Sequence, residues 1–166
     1  MGRTGSVADE LGSRLITASL IRDMMHLAML MAKLFGPYTK WLGTAFRQLE
    51  ISTDLTPLFT AALDSQNWND REAWLSKAYI LMAKAHNKMN LTPPIAPEVS
   101  SFHDRPFQVP HASRFVDALL ARIEDPFIKA LPPFLGSVDQ VINNVDVLTN
   151  PTRCQKLHVL FDQPDR

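Results

Sequence analysis

The sequence predicts an all-α, single-domain helical bundle of about five to seven helices around a central long helix, with a long proline-rich connection. Three observations carry this. Apolar residues recur at three- and four-residue spacings through most of the chain. Stop and start signals separate these periodic runs. Eight of the twelve prolines lie between Pro93 and Pro133, where regular helix cannot persist. A chain of 166 residues is one domain by length and can bury a core. The bundle is expected over residues 9–161, with 1–8 and 162–166 as flexible termini.

The organising element is Leu11–Phe35, expected as a single helix. Leu20, Met24, Leu27, Met31 and Leu34 form one seam, and Ile16, Ile21, Met25, Ala28 and Phe35 cover much of the rest. Such a helix is either a core centre or a membrane span. Arg22, Asp23, His26 and Lys33 lie inside the only window long enough to span. Charged groups there cost roughly 2.5–3.5 kcal/mol each on insertion scales, so the core reading is preferred and no membrane is expected. Arg22, His26, Met29 and Lys33 fall within about 40° of one another at helical spacing. The simpler reading is a solvated stripe. The sharper one is a cleft lining in which Arg22 and His26 hold an anion.

The remaining elements follow in order. Gly36-Pro37 reads as a helix cap and a restart. Tyr38, Trp41, Leu42, Ala45, Phe46 and Leu49 then form an amphipathic face, with Lys40, Thr44 and Arg47 opposite. Ser52-Thr53-Asp54 offers caps for a helix carrying Leu55, Leu58, Phe59, Ala62 and Leu63, with Pro57 in its first turn. Asn69 and Glu72 resemble a capping box opening a helix to about Met89. His86 shares its seam with Leu75, Tyr79, Met82 and Met89, and is expected to be a hydrogen-bonded core histidine. Leu91–His111 is the irregular connection. Helix returns at about Ala112–Glu124 and breaks at Pro126 and Pro132-Pro133. Ser137 and Gln140 form a capping box before Val138, Val141, Ile142 and Val145. Asn150-Pro151 starts the last helix, with Cys154 and Leu157 inward.

Composition limits the function classes. Formal net charge is zero, which disfavours a nucleic-acid partner held by bulk charge. The single cysteine, Cys154, excludes an intrachain disulfide and fits a reducing, cytoplasmic setting. The first ten residues lack the apolar stretch of a signal peptide. Met1-Gly2 to Ser6 matches a loose myristoylation pattern, and small terminal residues explain it as well. No cofactor is implied.

Motifs with chemistry are sparse. Gly136-Ser137 with Asn144-Val145-Asp146 has the outline of a nucleotidyltransferase signature, but that chemistry needs a carboxylate pair on a strand, and the first acidic position here is Asn144. Arg105 and His111 have the types of an acid–base and phosphate-stabilising pair. His103, Asp104 and His111 are possible metal ligands, although an Asp104–Arg105 ion pair pinning the loop is the simpler account. Cys154 on an apolar side reads as inert.

Taken together, E-L-G-S-R-L-I, R-D-M-M-H-L, P-Y-T-K-W-L-G-T-A-F, A-H-N, F-H-D-R-P-F-Q-V and G-S-V-D-Q…D-V-L resemble the helical domain of unknown function that follows nucleotidyltransferase-like domains in bacterial and some fungal proteins. The resemblance runs from about Asp9 to Leu160. It implies similarity to the helical C-terminal bundles of antibiotic nucleotidyltransferases, which pack on the catalytic sheet and help form the acceptor-substrate cleft. The implied role is a non-catalytic accessory or substrate-binding domain. Its partners would be a nucleotidyltransferase catalytic domain, in cis or in trans, and a small-molecule substrate. The candidate binding residues are Arg22, His26, Lys40, His103, Asp104 and Arg105. The alternatives are a stand-alone helical ribonuclease using Arg105 and His111, and a protein-interaction bundle marked by an exposed apolar patch.

Overall fold

Asp9 accepts a hydrogen bond from the Gly12 amide at 2.8 Å and starts the longest helix, α2 (Glu10–Met31). The computed structural model describes residues 1–130, 142 and 144–161. Around α2 are α1 (Gly2–Gly5), α3 (Thr39–Phe46), α4 (Ser52–Asp64) and α5 (Trp68–Lys88). A short antiparallel hairpin follows, β1 (Ser100–Ser101) and β2 (Gln108–Val109), with Ser100 opposite Val109. Then come α6 (Ser113–Leu120), α7 (Pro126–Lys129), α8 (Val145–Leu148), α9 (Pro151–Gln155) and a 3₁₀ segment, Lys156–Phe161. The described residues form an all-α bundle whose only strands are this hairpin.

The core lies where α4 and α5 pair most extensively and α2 and α3 close over them. Leu55 and Ala62 of α4 and Leu75 and Ala78 of α5 are fully buried. Ile21, Met24 and Ala28 of α2 and Leu42 and Phe46 of α3 complete it. The Phe46 and Phe59 rings meet at 5.8 Å between centroids, tilted by 35°. Spacings of three and four put each set on one face of its helix.

Several boundaries differ from expectation, each for a local reason. The long helix ends at Met31 rather than Phe35. Lys33 adopts a left-handed conformation (φ 59°), its amide bonds the Leu30 carbonyl, and the Leu34 amide reaches back to Met29. This is a Schellman motif with lysine where glycine is usual. Gly36 therefore does not cap the helix. A Cβ there would lie 2.6 Å from His26 Nδ1, so Gly36 permits close passage over the histidine. The cap of α5 is Asn67, not Asn69. Asn67 accepts from the Asp70 amide at 3.0 Å and donates to the Asp70 carboxylate at 2.7 Å. Pro57 lies in the second turn of α4, not the first. The Ser137–Gln140 box, Val138, Val141 and Pro132-Pro133 lie outside the described residues.

The segment 1–8, expected as a flexible terminus, carries α1 against α2 and α5. Gly5 is buried there, and a Cβ would come within 2.2 Å of the Trp68 indole. His86 is also not the hydrogen-bonded histidine expected. Its ring meets Phe115 edge-on at 5.1 Å, and both nitrogens are buried without a hydrogen-bond partner. Cys154 is half-buried and donates to the Val147 carbonyl at 3.1 Å.

Tyr79, on α5, reports on this packing. Burial pushes its phenol up to about 12, with the Glu72 charge adding to the effect. The folded chain therefore keeps a proton that the unfolded chain releases near pH 10. Stability is full below that pH and falls as pH rises towards 12, by about 2–3 kcal/mol if the shift is complete. Urea unfolding below pH 10 and near pH 12 is expected to show this loss, and Tyr79→Phe to remove most of it.

Candidate functional site

A cleft of about 510 Å³ opens between α2, α3 and α4, within the size range of small-molecule sites. Each helix contributes one face. Lys40, Gly43, Thr44 and Arg47 follow the i, i+3, i+4, i+7 pattern along α3 and its C-cap; Thr56, Phe59, Thr60 and Leu63 repeat it on α4. Ile21 and Met25 supply the α2 wall. The result is an apolar floor from Ile21, Met25, Phe46 and Phe59 beneath an exposed rim of hydroxyls, cations and Leu63. A Cβ added at Gly43 would meet nothing within 4 Å, so the mouth is open above that residue.

Among the described residues, Lys40 and Arg47 are the charged ones that line the cleft, and both are basic. Among the described residues no carboxylate pairs with either. The Lys40 ammonium lies 5.5 Å from the Trp41 ring, whose indole N–H donates to the Tyr38 hydroxyl at 3.2 Å. The Arg47 carbonyl accepts from the buried Ser52 hydroxyl at 3.2 Å, which fixes the join between α3 and α4. Threonine hydroxyls donate and accept. Two cations with adjacent hydroxyls suit a phosphate or carboxylate, and the apolar floor suits the body of the molecule carrying it.

The sequence-selected residues fall in three places. Lys40 is in the cleft. Arg22 and His26 are on α2 outside its lining; Arg22 bonds Asp23 at 3.1 Å, and His26 lies beneath Gly36. His103, Asp104 and Arg105 are exposed in the hairpin turn. There the Phe102 amide bonds the Phe107 carbonyl at 2.8 Å, and His103 has φ 56°. The turn is anchored through its backbone and Phe107, not by an Asp104–Arg105 ion pair. Phe107 packs edge-on to Trp68 at 6.1 Å, and Glu72 accepts from the Gln108 amide at 3.0 Å. Burial raises the pKa of Glu72, an effect opposed by that amide bond.

His111 lies beyond β2, with Nε2 2.8 Å from the Ser100 hydroxyl at the base of the hairpin. Arg105 occupies the turn at the other end. Among the described residues no group of three His, Cys, Asp or Glu side chains is placed to hold a metal. A smaller cleft of about 290 Å³ between α2, α4 and α5 is lined by Glu50, Asp54 and Lys88 among apolar groups.

Sequence reasoning placed Thr44 and Arg47 on a polar face without selecting them as site residues, and it missed Thr56 and Thr60. The available signal was their helical spacing with Lys40 on the polar faces of adjacent helices. It also missed Asn87, whose side-chain amide donates to the Ile95 carbonyl at 2.7 Å and accepts from the Ile95 amide at 3.0 Å. This clamp fastens the proline-rich connection to the end of α5.

A family model described as a domain of unknown function (DUF4037) matches residues 1–42. The match takes in α1, α2 and the first turn of α3, including Lys40. No curated protein and no solved structure matches the chain. No helix among the described residues is long and apolar enough to cross a membrane.

Proposed function

We propose that the chain is a non-catalytic, substrate-binding helical domain of a nucleotidyltransferase-like protein, and that the cleft between α2, α3 and α4 receives an anionic group of the acceptor substrate. The observation carrying this reading is the presence of Lys40 and Arg47 together, with no carboxylate among the described lining residues, over an apolar floor ringed by threonines. The association with a nucleotidyltransferase rests on the sequence blocks that resemble such helical domains. The catalytic step belongs to a partner domain, in cis or in trans, because phosphoryl transfer needs a metal-binding carboxylate pair.

Phenyl phosphate is a suitable probe, since it joins a phosphate to an apolar ring. Calorimetric titration of the purified chain is expected to show binding at one site. Lys40→Ala and Arg47→Ala should each weaken it about tenfold, the scale of a charge-assisted hydrogen bond. Arg105→Ala, in the hairpin turn, should leave it unchanged. Equal loss in all three variants, or none in the cleft variants, would remove the cleft from the account.

A further inference from the structure

The smaller cleft, between α2, α4 and α5, differs in chemistry from the one lined by α3. Its volume of about 290 Å³ lies at the lower end of the roughly 300–1,000 Å³ of small-molecule pockets, so its ligand is small. Ala28 and Met31 of α2, Leu49 and Ile51 of the turn before α4, and Met89 at the end of α5 supply apolar walls. Ala28 and Leu49 are buried, and Met31, Ile51 and Met89 are half-buried. The two methionines, unbranched and polarizable, adapt to the shape of an apolar group.

Three exposed charged residues complete the lining, Glu50, Asp54 and Lys88. Glu50 and Asp54 are four positions apart where the chain enters α4, and Lys88 is the last residue of α5. The two signs therefore come from different elements. Among the described residues none of the three makes an ion pair. Opposite charges thus border one small space without neutralising each other.

This lining is selective. A metal cation is opposed by the Lys88 ammonium, and a phosphate by the two carboxylates. A neutral apolar molecule leaves all three charges unanswered, and the interior of a peptide carries neither charge. A small molecule with an ammonium, a carboxylate and an apolar group answers every part of it. We infer that the cleft binds a free α-amino acid with an apolar side chain. Its ammonium meets Glu50 and Asp54, its carboxylate meets Lys88, and its side chain lies against Met31, Leu49 and Met89. Both polar contacts are charge-assisted. The site shares no lining residue with the phosphate-binding cleft proposed above, so the two stand or fall separately.

Calorimetric titration of the purified chain with L-leucine at pH 7 tests this. Saturable binding is expected. L-Leucinamide lacks the carboxylate and N-acetyl-L-leucine lacks the ammonium, so each should bind about tenfold more weakly, the scale of one charge-assisted hydrogen bond. Glycine, with both charges and no side chain, should also lose about tenfold or more, the scale of an unburied leucine side chain. Lys88→Ala should abolish the preference for leucine over leucinamide and keep that over N-acetyl-leucine. Glu50→Gln/Asp54→Asn should do the reverse. Lys40→Ala and Arg47→Ala should leave leucine binding unchanged. No saturable leucine binding, equal binding of leucine and both analogues, or preferences that survive these substitutions would overturn the inference.

Discussion

Arg71→Ala is expected to destabilise the fold by about 3 kcal/mol or more, the cost of breaking a buried ion pair. That loss lowers the melting temperature by roughly 10 °C for a domain of this size. Arg71 is fully buried, pairs with Glu10, and donates to the Ser13 hydroxyl at 3.2 Å and the Ser65 carbonyl at 2.8 Å. One side chain thus ties the start of α2, the end of α4 and the start of α5. Burial lowers its pKa from the ordinary arginine value, but arginine starts so far above neutrality that it stays charged. Alanine leaves a void and removes the donors serving Glu10, Ser13 and Ser65. Arg71→Met keeps most of the volume and isolates the polar contribution. Chemical denaturation of both variants separates the two effects.

Leu55→Ala is expected to cost about 2–5 kcal/mol. Leu55 is fully buried in α4 against α5, where surrounding helices cannot collapse fully into the space left behind. Leu30→Ala is the matched control. It removes the same atoms from an exposed position on α2 and should cost no more than about 0.5 kcal/mol. Equal losses at the two positions would contradict the division of α2 into a core face and an outer face.

That division was the least legible part of the chain. Periodicity identifies α3, α4 and the body of α5, because each has one apolar stripe and a polar opposite face. It cannot decide which side of α2 is covered when leucines and methionines surround the helix. Ser13, Thr17, Ile21, Met24 and Ala28 turn inward, a mixture of small and apolar residues that hydropathy alone does not select. Lys33 ends the helix in a left-handed conformation closed by the backbone hydrogen bonds from the Lys33 and Leu34 amides to Leu30 and Met29, whereas sequence rules point to the glycine three residues later. Arg71 was legible in principle. It shares the 71, 75, 78, 82 seam with Leu75, Ala78 and Met82, and a cation in a core seam signals a buried partner.

The candidate site was half visible for a similar reason. Lys40 stood out within a distinctive sequence block. Arg47 and the threonines of α3 and α4 read as ordinary polar faces until the helix pairing placed them around one opening. The hairpin turn has the opposite history. Its histidine, aspartate and arginine suggested chemistry by residue type, and the fold presents them exposed on a turn held by Phe107 and Glu72.

The most direct test of the account is amide-resolved NMR during titration with phenyl phosphate. The expected shifts centre on Lys40, Gly43, Thr44, Arg47 and Thr60, with the His103–Arg105 turn unmoved and the response lost in a Lys40→Ala/Arg47→Ala double variant. Shifts centred on the hairpin turn or on Arg22 and His26, or no saturable response, would contradict it.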